Sequence, residues 1–241
     1  MKKIIFNWYL WILIIYLISM FTLEEGIYRL FYYTGVHLNS GNYHDYAEFK
    51  KSEIKLQDYT VLIAQFIRFI AIALLAFKTK LFIPRRLDIK KKDFLTAVYC
   101  FLIKIGVTLV AGITLYLVGL GSETDSVSGN QENLQDLLSS SFIIGAIFMV
   151  ILAPVIEEFI FRKLIMGHIL KNYKYTGWII SSVFFGSLHL LAGFSMMGLI
   201  IYMALGFILG WVYMKTQRIE ASIIVHMFNN LVSVLVMLLM L

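Results

Sequence analysis

The chain has 241 residues, of which 60% are hydrophobic and only 15% are charged. A soluble domain averages about 25% charged residues, so this composition excludes a soluble protein and indicates a polytopic membrane protein. The net charge of +6 does not indicate nucleic-acid binding, because the basic residues cluster between hydrophobic runs as the positive-inside rule predicts. The single cysteine, Cys100, excludes an internal disulfide.

Seven apolar runs approach the length of about 20 residues that a helix needs to cross a bilayer. In chain order they are residues 4–23, 59–77, 94–120, 142–161, 177–193, 194–214 and 221–241. We therefore predict an all-α polytopic membrane protein with about seven transmembrane helices. Residues 1–140 are expected to form an N-terminal part of about three spans and loops, and residues 141–241 a C-terminal four-helix bundle. The very short turn at residues 193–195 leaves a re-entrant segment as an alternative for the fifth and sixth runs.

The charges of the connecting loops predict the orientation. Loop 78–93 carries seven lysines and arginines, whereas loop 121–140 has none. Placing the N-terminus in the cytoplasm puts the strongly basic loops on one side of the membrane. Loop 78–93 is then also a candidate linker and a contact for anionic lipids. Loop 24–58 is polar and rich in tyrosine, and the small, lysine- and isoleucine-rich chain suggests a bacterial cell membrane.

Ionisable side chains within apolar runs are rare and mark functional sites by default. Those in this chain, together with two neighbouring amides, are Arg68, Lys104, Glu157, Glu158, Arg162, His189, His226, Asn229 and Asn230. Arg68 and Lys104 have no obvious acidic partner, and we assign them no chemical role. The others all fall in the last ninety residues.

These residues recur at helical spacing on three separate spans, the fourth, fifth and seventh. Residues four apart share one helix face, and the pairs with this spacing are Glu158 with Arg162, Phe185 with His189, and His226 with Asn230. We expect the three spans to turn these groups toward a common cavity. Glu157 is expected near the cytoplasmic end of the fourth span, with His189 deeper than the rest. Pro154 is expected to bend that span and widen the space beside the carboxylates.

Two kinds of chemistry suit one glutamate and two histidines. The first is a zinc site, with three protein ligands and a water, but no HExxH motif is present and asparagine is a poor zinc ligand. The second is a metal-free site, which we prefer without excluding zinc. A carboxylate in an apolar cavity loses solvation and becomes a better base. Beside His189, it would take a proton from a water molecule that attacks a peptide carbonyl, while His226 and Asn230 donate hydrogen bonds to the oxyanion.

Three short motifs carry a family resemblance. The stretches "EEFIFR" (157–162), "FGSLH" (185–189) and "HMFNN" (226–230) match, in order, the EExxxR, FxxxH and HxxxN motifs. Over roughly residues 140–241 the chain resembles the CAAX prenyl endopeptidases and bacteriocin-processing enzymes, also called CPBP or Abi proteins. The resemblance implies a glutamate-dependent intramembrane endopeptidase, a class formerly regarded as metalloproteases.

The same resemblance implies a role for each matched residue. Glu157 and His189 would activate water, His226 and Asn230 would stabilise the oxyanion, and the supporting residues would be Glu158, Arg162 and Phe185. The expected partners are the lipid bilayer and a membrane-associated peptide or protein, such as a bacteriocin or pheromone precursor. A prenylated CAAX substrate is not expected of a bacterial chain.

Non-catalytic alternatives remain at this stage. Taken singly, each motif is explained by a span end, by a core histidine or by hydrogen bonds between helices. Taken together, the intact motifs favour a peptidase over a membrane scaffold or a self-immunity protein that binds a membrane partner. A transporter with buried proton-relay carboxylates is a third, weaker alternative.

Overall fold

A computed structural model describes residues 8–34, 46–78, 89–120, 142–191 and 193–240, and every regular element in these ranges is a helix. The helices are α1 (Trp8–Thr34), α2 (Tyr46–Lys78), α3 (Lys91–Leu117), α4 (residues 142–169), α5 (Lys174–Leu188), α6 (Met196–Thr216) and α7 (Ile219–Met240). The prediction of an all-α membrane protein is confirmed. Loop 121–140 and most of loop 78–93 lie outside these ranges, whereas loop 24–58 is largely helical where it is described.

Four of the helices are long and apolar enough to cross a membrane by length and composition: α1, α3, α6 and α7. In α2 the apolar part is limited to Tyr59–Leu75, and α5 has only 15 residues. Helix α4 is divided into short α-helical and π-helical segments. The seven described helices therefore overlap in sequence with the seven predicted runs. They differ in whether their length and composition would let them span a bilayer.

The chain divides into two compact units, Met1–Phe82 and Ile83–Leu241. In the first unit, Arg68 on α2 pairs with Glu24 on α1, with its Nη1 2.7 Å from Glu24 Oε1, and it also donates to the backbone carbonyl of Ser19. The expectation that Arg68 has no acidic partner is therefore wrong. Helix α1 continues to Thr34, beyond the predicted span end at residue 23, so Glu24 is a helical residue facing α2 rather than part of a loop.

The second unit contains α3 to α7, and glycines bring α5 and α6 close together. A Cβ atom at Gly206 would lie 2.8 Å from the carbonyl oxygen of Ser182, and one at Gly210 would lie 2.6 Å from the Trp178 ring. Only a residue without a side chain permits this approach, and the two glycines of "GFILG" (206–210) provide it at one-turn spacing. Helix α3 packs against α6 and α7, and α7 packs against α4. The predicted division at residue 140 stays a prediction.

Helix α4 widens into π-helical turns at residues 148–152 and 159–169. In the first of these turns, the backbone N–H of Ala153 donates to the carbonyl of Phe148, five residues earlier. The next donor in this register would be residue 154, which is proline and has no N–H. The carbonyl of Met149 is thereby left without its backbone donor, and the Asn230 side chain supplies one instead, 2.8 Å away.

Helix α4 also continues to Ile169, eight residues past the predicted span end at residue 161. Glu157 therefore lies in the middle of the helix, twelve residues before its end. The depths of Glu157 and His189 in the membrane stay predictions.

Candidate functional site

The candidate site lies where α4, the end of α5 and α7 meet. Glu157 and Glu158 belong to α4, and His226 and Asn230 belong to α7. His189 directly follows the last residue of α5 and caps that helix. The structure thus brings residues from all three predicted motifs into one part of the second unit.

Glu158 is completely buried and fully engaged by protein partners. Its Oε2 atom lies 3.1 Å from Arg162 Nε and accepts a short hydrogen bond from Ser222 Oγ, while its Oε1 atom lies 3.0 Å from His226 Nδ1. The ion pair expected from the i, i+4 spacing of Glu158 and Arg162 is therefore present. Burying two charges is costly unless they are paired and hydrogen-bonded. The Glu158 carboxylate meets this condition, and its contacts with Ser222 and His226 connect α4 to α7.

The contact with Glu158 determines how the His226 ring is oriented. A carboxylate only accepts hydrogen bonds, so the Nδ1 atom of His226 carries a proton and donates it to Glu158 Oε1. The other ring nitrogen, Nε2, then points at Glu157, 3.7 Å from its Oε2 atom. The His226 side chain is only 2% exposed, so its orientation is fixed by packing as well as by the hydrogen bond.

His189 is oriented in the same manner by a backbone carbonyl. Its Nδ1 atom lies 2.8 Å from the carbonyl oxygen of Phe185, which can only accept, so Nδ1 donates and Nε2 is directed toward Glu157 Oε2, 3.8 Å away. The imidazole also stacks on Tyr202 with ring centroids 4.4 Å apart, and it contacts the Phe185 ring at 4.5 Å. Three contacts with two residues, Phe185 and Tyr202, therefore hold this ring in place.

Glu157 differs from its neighbour Glu158 in both access and partners. Its side chain is 20% exposed, against 0% for Glu158. Its Oε2 atom is itself buried and has no hydrogen-bond partner within the described residues. The two histidine Nε2 atoms lie at 3.7 and 3.8 Å from it, beyond direct hydrogen-bond distance. One carboxylate is thus structural by its contacts, while the other keeps an uncommitted oxygen between two histidines.

Phe185 and Arg162 are fully buried and pack against the residues of the candidate site. The Arg162 guanidinium lies over the Phe185 ring at 5.4 Å. Arg162 also donates from Nη1 to Ser181 Oγ, 2.8 Å away. The Phe185 ring contacts His226 edge-on at 5.8 Å, so this one side chain touches residues from each of the three motifs.

Asn230 lies on α7 one turn after His226, and its amide is already hydrogen-bonded. Its Nδ2 atom donates to the carbonyl of Met149, and its Oδ1 atom accepts from Asn229 Nδ2 at 3.0 Å. Asn229 in turn accepts a 2.6 Å hydrogen bond from Lys104 Nζ on α3. The Nδ2 group of Asn230 has two hydrogens, so one remains after the contact with Met149.

The sequence did not indicate that Ser222 and Tyr202 contact the site. It also did not indicate that Lys104 is a partner of the asparagines. Ser222 precedes His226 by four residues, so helical spacing alone would have placed it on the same face. The Tyr202 stack and the Lys104 contact join different helices, and no local pattern indicates them. Lys104, to which we assigned no chemical role, donates a hydrogen bond to Asn229.

No group of three or more histidine, cysteine, aspartate or glutamate residues in the described ranges is arranged to hold a metal ion. The donor types of Glu157, His189 and His226 would suit zinc, but they do not form such a group. The metal-free site stays a prediction.

Residues 139–232 match the family model described as type II CAAX prenyl endopeptidase Rce1-like. This part of the chain is similar to that family. The matched region contains α4 to α6 and most of α7, and with them every residue of the three motifs. Helices α1 to α3 lie outside it.

Three curated proteins that are similar to this chain are bacterial. The chain is 32% identical over 126 residues to YdiL of Bacillus subtilis, provisionally named a membrane peptidase, and 30% identical over 107 residues to the membrane-embedded CAAX protease MroQ of Staphylococcus aureus. It is 39% identical over 95 residues to the UPF0177 protein YxdF of Lactococcus lactis. These alignments cover 51%, 43% and 39% of this chain and 47%, 43% and 48% of the relatives, so the chain spans about half the length of each. No solved structure matches the chain.

Proposed function

We propose that the chain is an intramembrane endopeptidase that hydrolyses a peptide bond of a membrane-associated peptide or protein, with Glu157 as the general base. The observation that carries this proposal is the uncommitted Oε2 atom of Glu157, between the Nε2 atoms of His189 and His226 at 3.8 and 3.7 Å. Separations of this size are ones that a single water molecule can bridge. The match of residues 139–232 to an endopeptidase family model supports the same reaction class.

In the proposed reaction, Glu157 removes a proton from water as the water oxygen bonds to the substrate's carbonyl carbon. His189 supports this step, because its fixed Nδ1–H leaves Nε2 free to accept a hydrogen bond from the same water. The carbon–nitrogen bond of the tetrahedral intermediate then breaks. The proton held by Glu157 passes to the leaving nitrogen, so that one carboxylic acid and one amine are released.

The developing negative charge would be stabilised from α7. Asn230 has one amide hydrogen left after its contact with Met149, and it can direct this hydrogen at the oxyanion. His226 can donate from Nε2 when it is an imidazolium, and the Glu158 carboxylate at Nδ1 would pair with that charge. Loss of a single donor of this kind costs about 10²–10³ in rate.

The substrate we propose is a peptide that enters from the bilayer or its surface, such as a bacteriocin or pheromone precursor. We propose that a substrate segment reaches the site through the exposed parts of the Glu157 and His189 side chains, which are 20% and 17% exposed. We also propose a multi-pass arrangement with the N-terminus in the cytoplasm, which the basic loop 78–93 supports.

The test compares the peptides released by bacterial cells that express wild type, Glu157→Gln or the matched control Glu25→Gln at equal membrane levels. Glutamine keeps the size of glutamate but cannot act as a base. Glu25 lies outside the second unit and is exposed, so its variant should behave as wild type. A peptide present with wild type and Glu25→Gln but absent with Glu157→Gln supports the proposal. Identical profiles from all three would instead favour the scaffold or self-immunity alternative.

A further inference from the structure

A chain of hydrogen bonds leads from α3 into the third motif. Lys104 Nζ donates to Asn229 Oδ1 at 2.6 Å, Asn229 Nδ2 donates to Asn230 Oδ1 at 3.0 Å, and Asn230 Nδ2 donates to the Met149 carbonyl at 2.8 Å. This series of hydrogen bonds begins at Lys104, which lies outside residues 139–232, the part that matches the endopeptidase family. It therefore connects the candidate site to a helix that the family motifs do not include.

The two ends of this chain fix its direction. An ammonium group only donates and a backbone carbonyl only accepts, so both asparagine amides must point their oxygens toward Lys104 and their nitrogens toward α4. A reversed Asn229 would place its NH₂ group against the ammonium. The positive charge at one end also polarises each amide in turn, which strengthens the donor at the far end.

Lys104 is also in an unusual place for a charge that merely points to water. It lies in the middle of α3, one of the helices able to cross a membrane, where an ionisable residue is expensive and by default functional. Its ammonium lies 5.4 Å from the Phe101 ring centroid, and Phe101 contacts Phe228 of α7 edge-on. Aromatic packing thus holds the lysine against the helix that carries the third motif.

We propose that Lys104 is a positioning residue for the peptidase reaction: through Asn229 it fixes the orientation of the Asn230 amide and strengthens that amide as an oxyanion donor. This inference rests on the proposed function. Lys104 itself does not touch the reacting atoms, so its removal should weaken catalysis less than removal of Asn230. We expect kcat to fall about tenfold with KM unchanged, against the 10²–10³ typical of a lost donor.

The experiment measures initial rates of cleavage in proteoliposomes. The substrate is a quenched fluorescent peptide that contains the peptide bond cleaved in the Glu157-dependent reaction. Lys104→Met removes the charge, and the exposed Lys92→Met on the same helix is the matched control. Asn229→Asp keeps an acceptor for Lys104 but cannot donate to Asn230 when ionised. Both Lys104→Met and Asn229→Asp should lower kcat, while Lys92→Met should not. Lys104→Arg, which keeps a charged donor, should recover part of the loss.

A double-mutant cycle on kcat distinguishes a positioning role of Lys104 from a role in packing alone. In an Asn230→Ala background, Lys104→Met should cause no further loss, because the donor it acts upon is already gone. An equal loss in both backgrounds, or a kcat unaffected by Lys104→Met, would overturn the inference while leaving the proposed function in place. If no released peptide depends on Glu157, the proposed function fails first and this inference falls with it. Should Lys104→Met fail to accumulate in membranes, Asn229→Asp carries the same test.

Discussion

The buried ion pair between Glu158 and Arg162 allows stability and catalysis to be separated by mutation. Both side chains are 0% exposed and 3.1 Å apart. Removing one partner leaves the other charge buried and unpaired, which costs about 3–5 kcal/mol. Against a typical free energy of unfolding of about 5–15 kcal/mol, either Glu158→Leu or Arg162→Met alone should lower stability severely.

The double variant Glu158→Leu/Arg162→Met should lose far less stability than the sum of the two single losses, which is about 6–10 kcal/mol. Replacing a whole buried ion pair by apolar residues of similar size is often neutral or better. Three hydrogen bonds are still missing, two that Glu158 accepts from Ser222 and His226 and one that Arg162 donates to Ser181, and at about 1 kcal/mol each they leave the double variant about 3 kcal/mol below wild type. Activity should not return, because His226 has lost the acceptor that orients its ring.

The assay for stability is unfolding by sodium dodecyl sulfate in mixed micelles, followed by tryptophan fluorescence. The assay for activity is release of the Glu157-dependent peptide by the same variants. If the losses of the two single variants simply add in the double variant, the pair is not coupled and the reasoning is wrong. Recovery of activity along with stability would show that Glu158 does not position His226.

Three further outcomes follow from the contacts of the site and the core. Tyr202→Ala should lower peptide release up to about tenfold, because the stack that holds His189 contributes about 0.5–1.5 kcal/mol, whereas Tyr202→Phe should keep both ring and activity. Gly206→Ala should destabilise the protein by about 1–3 kcal/mol in the micelle assay, since its Cβ would lie 2.8 Å from a backbone oxygen of α5; Gly106→Ala, with nothing within 4 Å, is the control and should not destabilise. Treating proteoliposomes with 1,10-phenanthroline should leave cleavage unchanged, and inhibition reversed by added zinc would refute the metal-free site.

The parts of the fold that depend on local chemistry could be predicted from the sequence. Apolar runs of membrane-spanning length predict helices, and residues four apart on one helix share a face whatever surrounds them. This is why the pairing of Glu158 with Arg162 and the facing of His226 and Asn230 followed from spacing alone.

The ends of the helices could not be predicted from hydropathy. Hydropathy reports where the chain meets water, whereas a helix ends where its backbone hydrogen bonds end. Helix α1 therefore continues past Glu24, which lets that residue pair with Arg68, and α4 continues past residue 161 to Ile169. Contacts between helices, such as that of Lys104 with Asn229, depend on tertiary packing and leave no periodic signal.

The adjacent glutamates of α4 show why two carboxylates occupy neighbouring positions in so apolar a segment. Residues next to each other on a helix point about 100° apart, so one can face the packed interior while the other faces a space between helices. Glu158 faces Arg162, Ser222 and His226, and its charge is neutralised there. Glu157 is left with a buried oxygen that no described side chain satisfies. A base must keep a lone pair for the proton it removes, and in our proposal the first glutamate can do so because the second supports the site around it.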